Sequence, residues 1–133
     1  MKTLIRLLLS TAVLSLAFTA AQAADNKIAA RYEAALAKMQ KANVITADTA
    51  DYFRKNVSED KGVKCDSARL AELVTGVVKN KGGNPANLDE TIKFIAENKM
   101  VGDSESLKRN LTAKTTSGSY AVAIITRLAA TIK

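Results

Sequence analysis

One thiol, Cys65, sits in the stretch DKGVKCDSARL (residues 60–70), and the chain has no histidine. A cysteine or serine nucleophile needs a base to take its proton, and imidazole is the usual one. Its absence excludes the histidine-dependent triads and the two-histidine zinc motif of metalloproteases. Zinc would have to be held by one thiolate and carboxylates, an uncommon donor set. Besides Cys65, the residues with chemical potential are three acid pairs, Asp48/Asp51, Glu59/Asp60 and Asp89/Glu90. Paired carboxylates hydrolyse glycosides only when they face each other across a cleft. The first and last pairs stand at expected helix starts, where the helix dipole favours negative charge in any case. Glu59/Asp60 falls in a polar turn. No cofactor and no metal is implied.

Other fragments carry less. Ser58 to Lys61 has S-x-x-K spacing and Lys114 begins KTTSG, but the S-D-N element that would complete a penicillin-binding site is missing. NKGGNPAN contains glycines without the lysine and hydroxyl of a phosphate loop. NVS and NLT are glycosylation sequons where a cell glycosylates its exported proteins.

For Cys65 itself, Lys64, Arg69 and a helix start favour a thiolate, while the neighbouring Asp66 opposes one. Two further accounts stand. With Asp66 as a helix cap, Cys65 and Leu70 occupy the two positions of a hydrophobic staple, and the thiol packs as a small apolar group. Alternatively, an odd cysteine in an oxidising compartment pairs between chains, which makes Cys65 a candidate intermolecular disulfide and the protein a dimer.

That compartment is suggested by the N-terminus. MKTLIR, then LLLSTAVLSLAFTA, then AQA is a basic leader, an apolar run and a small-residue cleavage site. This predicts a signal peptide over residues 1–23, cut after Ala23, and a periplasmic or secreted product. The apolar run is shorter than the roughly 20 residues of a span and is diluted by hydroxyls. Residues 24–133 then form a single helical domain, held by its core without internal disulfides.

Apolar spacing reads as helix nearly throughout. Ile28, Tyr32, Ala35, Leu36 and Met39 make one stripe. Thr46 or Asp48 can cap a second helix facing inward through Ala50, Phe53 and Val57. Asp66 can cap a third, with Leu70, Leu73, Val74, Val77 and Val78 inside, NKGG as its stop, and Gly76 suggesting a close helix contact. Asn87 and Glu90 have capping-box spacing for a fourth, with Leu88, Ile92 and Ile95 inside and Gly102 as its close. DSESLKRNL gives a short fifth, and TAKTTSGS a loop. The last segment, SYAVAIITRLAATIK, also suits a strand, but no strand-turn-strand pattern offers it a partner. Its wide apolar arc suggests a helix at the centre of the others. The expectation is all-α: a compact bundle of about six short helices with an apolar C-terminal helix at its centre, and no tandem repeat.

The formal net charge is +7. It is not spread evenly: residues 24–97 carry 12 basic and 11 acidic side chains, and residues 98–133 carry 6 basic and 2 acidic. Lys99, Lys108, Arg109, Lys114 and Arg127 therefore form a candidate basic surface for an acidic protein or an anionic envelope lipid. Nucleic acid is the weakest partner, since no aromatics interleave with these cations to stack bases. The sequence points to an exported, non-enzymatic protein acting by contact, as an inhibitor, an immunity-type protein or an envelope adaptor. A carrier holding a small molecule or lipid between Ala-rich helices is the alternative, and a carboxylate- or Cys65-dependent enzyme a weaker one.

Overall fold

A computed structural model describes residues 27–60 and 62–133. The leader and its cleavage point lie outside the described residues. Contacts divide the chain into two units, with the boundary between Arg31 and Tyr32. The described part of the first, residues 27–31, is helical, and Ile28 in it is exposed rather than core-facing.

The elements are α1 (27–41), α2 (Ala47–Asn56), β1 (Lys64–Asp66), α3 (Ser67–Asn80), α4 (Leu88–Glu97), α5 (Ser104–Thr112), β2 (Thr115–Ser117) and α6 (Gly118–Ala129). The bundle is mostly helical, as expected, and its core is continuous from Tyr32 to Ile132. Among the described residues, no helix is long and apolar enough to cross a membrane. From α2 onward, α3 has the widest set of principal neighbours: β1, α4, α5 and α6. The last helix packs on α3 and on both strands.

The helix starts follow local chemistry. Thr46, Asp66, Asn87 and Asp103 each accept a hydrogen bond from a backbone N–H in the first turn, satisfying donors that the helix cannot. α3 ends in Gly82, whose φ of +91° closes the turn. α4 ends at Glu97, not Gly102. Its reversal is made by Lys99 at φ +50°, and the Met100 N–H donates back to the Ile95 carbonyl at 3.0 Å. The α1–α2 corner repeats this with Asn43 at φ +59° and a Val44 N–H to Met39 carbonyl bond of 2.9 Å.

Two features depart from the sequence expectation. The segment read as a loop contains β2, which pairs antiparallel with β1: Lys64 opposite Ser117, Cys65 opposite Thr116, Asp66 opposite Thr115. The fold is thus helical with a small ribbon at its middle. The ribbon extends past its strands, with Gly118 donating to the Val63 carbonyl and Ser67 to that of Lys114. Thr116 is buried and donates to the Asn110 carbonyl at 3.0 Å. That uses its one proton, so the buried Ser67 hydroxyl donates to Thr116 at 2.8 Å.

The second feature is an internal repeat of plan. The shift that carries Cys65 onto Thr116 carries Ser67, Leu70, Leu73, Val74, Val77 and Val78 onto Gly118, Ala121, Ile124, Ile125, Leu128 and Ala129, and all are buried. Asn43 similarly maps onto Lys99 between the two corners, and that shift carries Ala35, Leu36 and Met39 onto Thr91, Ile92 and Ile95, again all buried. Helix, αL corner, helix, strand, helix is traversed twice. The halves differ most in the join before the strand. It runs from Val57 to Val63 in the first and only through Ala113 and Lys114 in the second.

Burial also sets a pH response. The Tyr32 hydroxyl donates to the Phe53 carbonyl at 3.2 Å. Burial first, then the nearby Cys65 and Glu33, push its ionisation above the ordinary tyrosine range, with Arg54 opposing. Tyr120 is raised as well, by burial first. Unfolded tyrosines release their protons near pH 10 while the folded ones hold theirs, so this stability is present below that pH and falls as pH rises beyond it. Urea midpoints at about pH 8 and about pH 11 should differ more for the native chain than for Tyr32→Phe. An identical fall in both would dismiss the buried Tyr32 hydroxyl as a contributor.

Candidate interaction surface

Cys65 is the centre of β1, 1% exposed, in the same core cluster as Leu70. Burial raises its pKa, and the Asp66 charge adds to this against backbone hydrogen bonds that lower it. The candidate disulfide-linked dimer is therefore corrected. The thiol is buried in the core, no second cysteine lies near it, and a bridge to another chain would require that core to open around it. Asp66 is the α3 cap, as the staple reading requires, accepting from the Ala68 N–H at 3.0 Å. On non-reducing electrophoresis the protein should run as a monomer, and a thiol reagent should label it rapidly only in denaturant. Equal labelling rates in both conditions would overturn this burial.

The acid pairs are not assembled into a cleft. Asp48 and Asp51 bind different arginines, and Asp89 binds Lys108. Among the described residues, no group of three or more His, Cys, Asp or Glu is placed to hold a metal ion. No buried side-chain polar atom among them lacks a hydrogen-bond partner.

In the first half Arg54 and Arg69 are held, while Arg31 and the lysines of α1 and α2 are exposed and form no ion pair with a described acid. Arg54 reaches Glu33 at 2.8 Å, Asp51 at 3.2 Å and Gln40 at 3.3 Å, joining α1 to α2. Arg69 lies 5.3 Å over the Tyr52 ring and reaches Asp48 at 3.4 Å and Glu72 at 3.8 Å. The α4–α5 hairpin has one clasp, Lys108 to Asp89 at 3.0 Å. Asp89 occupies the position in α4 that Glu33 occupies in α1 under the corner shift. Lys108 is thus engaged, unlike the other four candidate residues. Lys99, Arg109, Lys114 and Arg127 are exposed and form no ion pair with a described acid.

Their positions are set by the elements. Lys99 is the corner residue between α4 and α5. Arg109 projects from the last turn of α5, and Lys114 stands just before β2. Arg127 lies on the exposed strip of α6 with Ser119, Ala123 and Ala130. Sequence reasoning missed Tyr120, half-buried on α6, with Ser106 and Asn110 of α5 by its hydroxyl; after burial, the Asp103 charge adds to its raised pKa and the Arg109 charge opposes it. The apolar stripe had absorbed it, and only the phenol's polar tip distinguishes it from its neighbours. No protein-family model, curated protein or solved structure matches the chain, so the surface is read from its own chemistry.

Proposed function

We propose that this is an exported, non-enzymatic helical protein that acts by protein–protein contact, as an inhibitor, immunity-type protein or envelope adaptor. The observation that carries the reading is the basic excess of the C-terminal part, 6 basic against 2 acidic side chains over residues 98–133. Of the five candidate cations there, Lys108 pairs with Asp89, while Lys99, Arg109, Lys114 and Arg127 are exposed and form no ion pair with a described acid. Exposed single-sign charge costs little in solution and steers an oppositely charged partner into register. The test is capture from an envelope extract by the tagged mature chain and by a variant with those four residues changed to glutamine. A stoichiometric acidic protein retained by the native chain and lost from the variant is expected. Retention of the same protein by both would refute the basic surface as the contact.

A further inference from the structure

The repeat allows the two halves to be compared position by position, and one closes a face that the other leaves open. The ribbon shift carries Arg69, Glu72 and Gly76 of α3 onto Tyr120, Ala123 and Arg127 of α6. Aligning the caps Thr46 and Asp103 carries Thr49 and Tyr52 of α2 onto Ser106 and Arg109 of α5. In the first half this face is sealed. Arg69 covers the Tyr52 ring, Glu72 accepts from the Thr49 hydroxyl at 3.5 Å and pairs with Arg69, and Gly76 lies against the Val44 carbonyl at the α1–α2 corner. The second half keeps the arginine and the tyrosine with their places exchanged, and keeps the hydroxyl as Ser106. It has lost the acid on the last helix, because Glu72 becomes Ala123, and the acid left near Tyr120 is the α5 cap Asp103. It has also lost the glycine, because Gly76 becomes the exposed Arg127. Lys99 stands at the corner in the place of Asn43.

Resting on the contact reading above, we infer that the α5–α6 face is the docking site, and that its occupant is a carboxylate-bearing segment of an acidic protein. A carboxylate from that segment supplies Arg109 and Arg127 with the anion that Glu72 supplies to Arg69 inside the first half. Ala123 leaves room for it, Tyr120 offers a flat flank, and Lys99 extends the charge along the approach. A membrane surface is the poorer occupant, because Ser119, Ala123 and Ala130 give the strip no bulky apolar anchor.

The experiment follows binding of a fluorescein-labelled hexaglutamate peptide to the mature chain by anisotropy, with vesicles of phosphatidylglycerol as a second arm. Ala123→Glu restores the missing acid on an exposed helical position, one turn before Arg127, and should weaken peptide binding about tenfold without lowering the thermal midpoint. Arg109→Gln with Arg127→Gln should do the same, while Lys38→Gln with Lys41→Gln on α1 should have a clearly smaller effect. Native-like binding by Ala123→Glu, an equal loss in the Lys38/Lys41 variant, or binding to vesicles but not to peptide would each overturn the proposal. The two readings fail separately. If Ala123→Glu still retains the partner captured from extract, the face is wrong and contact stands. If the native chain captures none, the contact reading itself falls.

Discussion

Replacing Gly76 by alanine is expected to destabilise the protein by about 2 kcal/mol, although the change normally strengthens a helix. Alanine is preferred over glycine mid-helix by about 1 kcal/mol. Here, however, a Cβ would fall inside the van der Waals shell of the Val44 carbonyl oxygen, with the Val44 side chain close behind. The obstacle is backbone, so no rotamer change relieves it. Either α3 moves off the α1–α2 corner or the corner gives way, and such overpacking costs up to about 3 kcal/mol. Urea midpoints measure the outcome. The control is Arg127→Gly at the equivalent position in α6, where the fold makes room for a long side chain and only helix propensity, about 1 kcal/mol, is lost. A Gly76→Ala protein as stable as the native chain would mean that α3 and the corner are not in contact.

The largest effect expected of a side-chain truncation is at Phe53, where alanine should cost about 4 kcal/mol. The ring is fully buried in α2 and meets the Tyr52 ring edge-on, with centroids 5.3 Å apart at 81°. Removing it leaves a cavity in a helix that the neighbouring Arg54 clasp and the Tyr32 hydroxyl hold to α1. Collapse into the space is therefore resisted, which is the condition for a large cavity penalty. Tyr32→Phe tests the same place with less consequence. It removes only the hydrogen bond to the Phe53 carbonyl, worth about 1 kcal/mol. Comparable losses from the two variants would show that the Phe53 ring is not the support assigned to it.

The helical part of this architecture was legible because its signals are local. Thr46, Asp66 and Asn87 announce their helices within four residues, and stripes such as Leu70, Leu73, Val74, Val77 and Val78 have a period that only a helix satisfies. Gly76 was legible too, since glycine at a mid-helix position needs a reason. The ribbon was not, because strands of three residues are too short for alternation to register, and their partners are distant in the chain. The repeat was hidden for a related reason. The halves preserve which positions are buried, not which residues fill them. Leu73 matches Ile124 and Val77 matches Leu128, but Arg69 matches Tyr120 and Glu72 matches Ala123. The basic character of the C-terminal part could be counted from composition. That Lys108 is occupied by Asp89 while Arg109 beside it is not could only come from knowing which helix lies across from α5.

The ribbon has a consequence for kinetics. The two helical corners close over a few residues, whereas joining β1 to β2 closes the much longer loop that carries α3, α4 and α5, at a larger entropic cost that favours its forming later. Bonds that form after the rate-limiting step do not speed folding; they slow escape from the native state. The Thr116 hydroxyl and its bonds to Ser67 and Asn110 then act chiefly on the lifetime of the native state, so weakening them should shorten that lifetime while leaving the refolding rate nearly unchanged.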